Sequence, residues 1–130
     1  MMIHLTEILI LIMLGIVFLQ SGIDKIVDRK GNLEWLRSHF SQSIFKNIVD
    51  LNFNIITVLE IISGALALVG AIVLALNGNP MIALIAAILS AVTFLCLFLG
   101  QRIAKDYAGA QTIVIYLIPT FFLIYLLTMN

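Results

Sequence analysis

The sequence predicts an all-α integral membrane protein: four transmembrane helices in one bundle, with an amphipathic helix in the loop between the first and second. Composition is the first reason. The 130 residues are 62% hydrophobic and only 11% charged, with a mean hydropathy of +1.17, against about 45–50% apolar and about 25% charged in a soluble domain. The second reason is segment length: several apolar runs approach the roughly 20 residues that cross a bilayer core as a helix. The third is charge placement. Lys25, Arg29, Lys30, Arg37, Lys46, Arg102 and Lys105 all fall in the first or third connection between helices. Basic loops stay on the cytoplasmic side, so both termini are expected outside.

The whole chain, 1–130, reads as a single membrane domain. Its first helix is expected over 5–26, apolar from Ile8 to Leu19 and then carrying Gln20, Asp24 and Lys25 without a turn residue to stop it. Polar groups at such depth are costly and take partners on neighbouring helices, so these three form one wall of an expected polar layer. Gly15 and Gly22, seven apart, share a face and admit a second helix closely. His4 and Glu7 mark the other rim and are expected to be solvated. The first helix lacks a basic start and a small-x-small cleavage site, which argues for a retained helix rather than a signal peptide.

Residues 33–51 repeat apolar positions at Leu33, Leu36, Phe40, Ile44 and Ile48, spacings of three and four that predict an amphipathic helix on the membrane surface. Gly31-Asn32 is expected to break the chain before it, and Trp35 suits the headgroup level. The second membrane helix, 53–76, carries Glu60 above a stripe of Ser63, Gly64, Ala67 and Ala71, with Gly70 a further packing position, which is the pattern of a helix packed against helices rather than lipid. Asn77-Gly78-Asn79-Pro80 is a turn, making the third helix, 81–99, antiparallel to the second. Cys96, the single cysteine, is expected to be a buried packing residue. A polar stretch of 100–111 follows, holding Arg102, Asp106, Tyr107 and Gln111, and Arg102 and Asp106 can pair if that stretch is helical. The fourth helix is expected over 112–128, kinked at Pro119.

Glu60 and Gln20 reach a similar depth by helical rise. Glu60 is therefore expected to pair with Arg102 or Lys25, or to hydrogen-bond Gln20 or a tyrosine. There is no phosphate-binding glycine loop, no His-Glu-x-x-His and no Gly-x-Ser-x-Gly, so nucleotide, zinc-hydrolase and serine-hydrolase chemistries have no support. A net charge of zero offers no nucleic-acid surface. A lone cysteine and two histidines on opposite expected sides leave no metal cluster or bis-histidine haem.

Leu14-Gly15-Ile16-Val17-Phe18-Leu19-Gln20-Ser21-Gly22-Ile23-Asp24-Lys25 and Leu59-Glu60-Ile61-Ile62-Ser63-Gly64-Ala65-Leu66-Ala67-Leu68-Val69-Gly70 together resemble the DoxX family of four-helix membrane proteins. The resemblance rests on the Gly, Lys and Glu positions of the first two membrane helices and on overall layout. No Arg precedes Gly15, and the last helix carries no family motif. The likeness implies a non-catalytic subunit of the bacterial cytoplasmic membrane, associated with a redox complex and interacting with a quinone. It also implies other membrane subunits as partners beside the bilayer. The alternative is a small-molecule or ion carrier built from an oligomer, with Glu60 and Arg102 in its pathway.

Overall fold

A computed structural model describes residues 4–39 and 49–129. Among these residues five helices follow one another: α1 (Leu5–Val27), α2 (Arg29–His39), α3 (Val49–Asn77), α4 (Met81–Ile103) and α5 (Tyr107–Thr128). Four of them, all but α2, are long and apolar enough to cross a membrane. They run alternately up and down, α1 beside α3, α3 beside α4, α4 beside α5, while α5 touches α1 only lightly. Their outward faces are aliphatic, as in Ile16, Ile62, Ile88 and Ile118, all exposed.

Close approach of α1 to α3 comes from glycines that alternate between the two helices. A methyl group on Gly15 would meet the Leu68 side chain, one on Gly64 would meet Leu19, and one on Gly22 would meet Ile61. Each bulky side chain thus fills the space beside a glycine on the facing helix, which is how small residues gain dispersion contact where no hydrophobic effect drives association. At Gly70 the neighbour is main chain, with Ala83 Cα only 2.8 Å from the position of an added Cβ. Interior positions of α4 are correspondingly small, with Ala83, Ala86, Ala87, Ser90 and Ala91 buried opposite α3 residues such as Ala67. The wider space between α1, α4 and α5 is filled by aromatic rings. Phe18 lies 4.5 Å from Phe94, which stacks at 5.6 Å on Tyr116.

Helix ends depart from the sequence reading in ways that backbone bonding explains. α1 and α2 are separated only at Asp28, and α2 passes through Gly31 and Asn32 instead of breaking there. The Asp28 carboxylate occupies the space over Gly31, and Asn32 donates from both main chain and side chain to the Asp28 carbonyl. The remainder of the expected amphipathic segment, including Phe40, Ile44 and Ile48, lies outside the described residues. α3 begins four residues earlier than expected and is linked to α2 by a forked contact of Arg37 on Asp50, at 2.8–3.1 Å. Hydrogen bonding to Asp50 raises the pKa of the Arg37 guanidinium.

At the α3–α4 turn Gly78 adopts φ +69°, a conformation glycine takes without steric cost. Gly78 N–H closes α3 on the Leu74 carbonyl, and Asn79 accepts from Met81 N–H. α4 continues past Gly100 to Ile103, and α5 starts at Tyr107, so the 100–111 stretch is mostly helix. The reversal is confined to three residues: Lys105 turns at φ +62°, and the Asp106 carboxylate caps α5 by accepting from Gly109 N–H at 3.0 Å.

Candidate functional site

At the end of the bundle where α1 stops and α3 starts, Lys25 and Glu60 meet. Lys25 lies three residues beyond Gly22, so it shares the α1 face that is pressed against α3. Its Nζ stands 2.8 Å from Glu60 Oε1, and Glu60 is 2% exposed. The contact is one of charge: Nζ lies off the direction that a hydrogen bond to Oε1 requires, and its directed hydrogen bond goes to Ser21 Oγ at 2.8 Å, one turn back in α1. An ammonium carries three donors, and Lys25 also borders a cleft outside the bundle.

One turn along α3 from Glu60, Ser63 Oγ is 3.3 Å from Thr93 Oγ1 of α4. Thr93 spends its proton on the Leu89 carbonyl at 2.8 Å, so Ser63 is the donor to Thr93. Thr57 and Thr120 bond back to the carbonyls of Phe53 and Tyr116. The buried polar groups are therefore mainly satisfied within helices or across the α3–α4 contact.

The cleft has a volume of about 360 Å³ and is walled by α2, α3 and α4. Asn32, Trp35 and Leu36 come from α2, Asn52, Phe53, Ile56 and Leu59 from α3, and Cys96, Leu97 and Gln101 from α4, with Lys25 contributed by α1. Among the described residues its walls are mostly aliphatic and aromatic, and their side chains bring three primary amides, the indole and one ammonium. Small-molecule sites share this makeup and a volume of about 300–1,000 Å³.

Of the polar layer expected from sequence, the structure assembles only Lys25 and Glu60. Gln20 and Asp24 are exposed, on the side of α1 that faces away from Glu60. Arg102 is not the partner of Glu60. Because α4 stays helical through Ile103, Arg102 lands on an outer face, with its guanidinium 4.6 Å above the ring of exposed Tyr107. Asp106 caps α5, and Gln111 is exposed. Cys96 is exposed and borders the cleft instead of packing in the core. Glu7, expected to be solvated, is buried with its Oε2 3.1 Å from His4 Nδ1, since the first turn of α1 already packs into the bundle. The packing residues Gly15, Gly22, Gly64, Ala67 and Gly70 are all buried at helix contacts.

Sequence reasoning missed Ser21, Asn52 and the amide of Gln101. Ser21 was legible from its four-residue spacing to Lys25. Asn52 and Gln101 acquire meaning only once α2 and α4 stand beside α3. Among the described residues no group of three His, Cys, Asp or Glu side chains is placed to hold a metal. No protein-family model, no curated protein sequence and no solved structure matches the chain.

Proposed function

We propose that this chain is an integral membrane subunit, DoxX-like in its first two membrane helices, whose cleft takes a neutral, planar, hydrogen-bond-accepting amphipath of the quinone class. A partner membrane subunit carries the electron-transfer centre. In this reading the protein sits in a bacterial cytoplasmic membrane with both termini outside. α2 lies at the inner headgroup level, where Trp35 is favoured, and the cleft opens toward the inner leaflet. In this reading the chain is the non-catalytic partner of that centre.

The observation that carries the reading is the charge balance at the cleft. Among the described residues that line the cleft Lys25 is the cation, and Glu60 stands 2.8 Å from it with the opposite charge. An anionic head would have to compete with a carboxylate fixed in place, whereas a neutral carbonyl can take a remaining N–H of Lys25 without breaking the pair. Asn52 offers a further amide contact, Asn32 Nδ2 being already committed to Asp24 and Asp28 oxygens, and the Trp35 indole gives a planar head an aromatic face. The carrier reading has less support, because Arg102 does not join Glu60 in any one pathway.

Trp35 is the only tryptophan in the chain and borders the cleft, so its fluorescence reports occupancy directly. Titrating a short-chain quinone into protein in lipid nanodiscs should give saturable quenching that Lys25→Met weakens. Linear quenching that is identical in wild type and Lys25→Met would show collision in the lipid alone and overturn the proposal.

A further inference from the structure

The outward face of α1 carries a second signal, separate from the cleft. Leu9, Ile16 and Ile23 are spaced by seven, and Met13, Gln20 and Val27 form the interleaved set, also spaced by seven. The spacing is that of the a and d positions of a parallel helix pair. Leu9, Ile16, Ile23 and Val27 are between 52% and 79% exposed, Gln20 is exposed, and Met13 is half-buried. Gln20 makes no hydrogen bond among the described residues.

By helical rise Gln20 lies about 10 Å inside the Val27 end of α1, in the hydrocarbon of a centred helix. An amide facing lipid there has neither water nor protein to bond, a costly state. On α3 the exposed amide Asn54 falls within the first two turns, and further along α3 and α4 the exposed residues Val58, Ile62, Val69, Ile85, Ile88 and Val92 are aliphatic. On α5 the exposed Gln111 and Thr112 fall within the first two turns.

We infer that this face of α1 packs against a second copy of the chain, with Gln20 hydrogen-bonded to Gln20 of the partner subunit. Copies inserted in the same orientation and related by an axis along the membrane normal present parallel α1 helices. A residue on that axis meets itself at the same depth. The side chain there must then complement itself, and a primary amide, donor and acceptor at once, does so where a carboxylate or ammonium would repel its copy. A single polar residue in an otherwise apolar seam also fixes register and the number of strands. Asp24 stands beside the seam near the helix end, within 3.4 Å of Asn32 Nδ2, and does not face its counterpart on the axis.

The test is made in liposomes on the full chain with Cys96→Ser as background. Ile16→Cys and Ile23→Cys should each cross-link efficiently to a second copy under oxidation, and Ile88→Cys on α4 should not. Förster transfer between labelled copies should give a dimer whose dissociation constant rises about tenfold in Gln20→Leu, the effect of one or two interhelical hydrogen bonds in lipid. Cross-linking at Ile16 and Ile23 no greater than at Ile88 overturns the inference. So does a dissociation constant that Gln20→Leu leaves unchanged.

Discussion

Removing one partner of the Lys25–Glu60 pair should cost far more than removing both. At 2.8 Å two unit charges attract by about 6 kcal/mol at an effective dielectric constant of 20, but desolvating each ion offsets several kcal/mol of that. Glu60 has a side chain only 3% exposed and loses nearly all its hydration, while Lys25, at 17%, keeps some. Lys25→Met leaves a carboxylate in the bundle with no counter-charge and should destabilise by about 3 kcal/mol. Glu60→Met leaves an ammonium on a flexible stem that can reach outward, and about 2 kcal/mol is expected. The double variant replaces both ions with apolar side chains of similar length, so its loss should be about 1 kcal/mol. The coupling energy is then about 4 kcal/mol. Equilibrium unfolding in mixed micelles, followed by far-ultraviolet circular dichroism, measures all four corners of the cycle. A coupling below about 0.5 kcal/mol would show that the ions act independently and refute the pairing.

The glycines give a graded series. Gly70→Ala forces an atom against the Ala83 main chain at 2.8 Å and should destabilise by about 1–3 kcal/mol, whereas Gly15→Ala meets chiefly the Leu68 side chain, which can turn aside where main chain cannot, and the gain in helix propensity of about 1 kcal/mol offsets part of the cost, so it should fall within about 1 kcal/mol of wild type. Equal effects on thermal unfolding would remove the distinction between main-chain and side-chain contact. Alkylation of Cys96 by a maleimide should be slowed by a saturating short-chain quinone, since both occupy the cleft, and an unchanged rate would place the quinone elsewhere. Asn79→Cys, in a Cys96→Ser background, should react with an impermeant reagent from outside intact cells, and reaction only after permeabilisation would invert the topology.

The long apolar runs made the four helices legible, and the breakers at Gly78 and Pro80 made the α3–α4 turn legible. Both ends of α1 and the last residue of α5 were legible to within a residue. The start of α3, the end of α4 and the start of α5 were not, because polar residues do not stop a helix whose backbone bonds can continue. Gly100 accepts from Ala104 N–H inside an unbroken α4, and only the Asp106 cap marks where α5 begins. Depth along the axis was readable, which is why Lys25, Gln20 and Arg102 all stood as partners for Glu60. Rotation about the axis chose among them. The clue was present in α1 itself: Gly15 and Gly22 mark the face toward α3, Lys25 follows Gly22 by three and shares that face, and Gln20 is two away and turns outward. The cleft had no comparable signal, since it depends on where α2 lies, and nothing in its periodicity states which neighbour it leans on.

The interleaved glycines bear on how this bundle can change shape. Sliding α1 along α3 by even part of a turn would drive Leu19, Ile61 and Leu68 out of the spaces beside their facing glycines and onto larger neighbours. Shear at that contact is therefore blocked, and the two helices move as one stave. α5 has no such interlock and meets α1 only lightly. Within it Pro119 supplies no amide proton, so the Ile115 carbonyl loses its helical donor and the rod is weakened near its middle. Rearrangement of this bundle should accordingly be a hinge of α5 away from the α1–α3 stave.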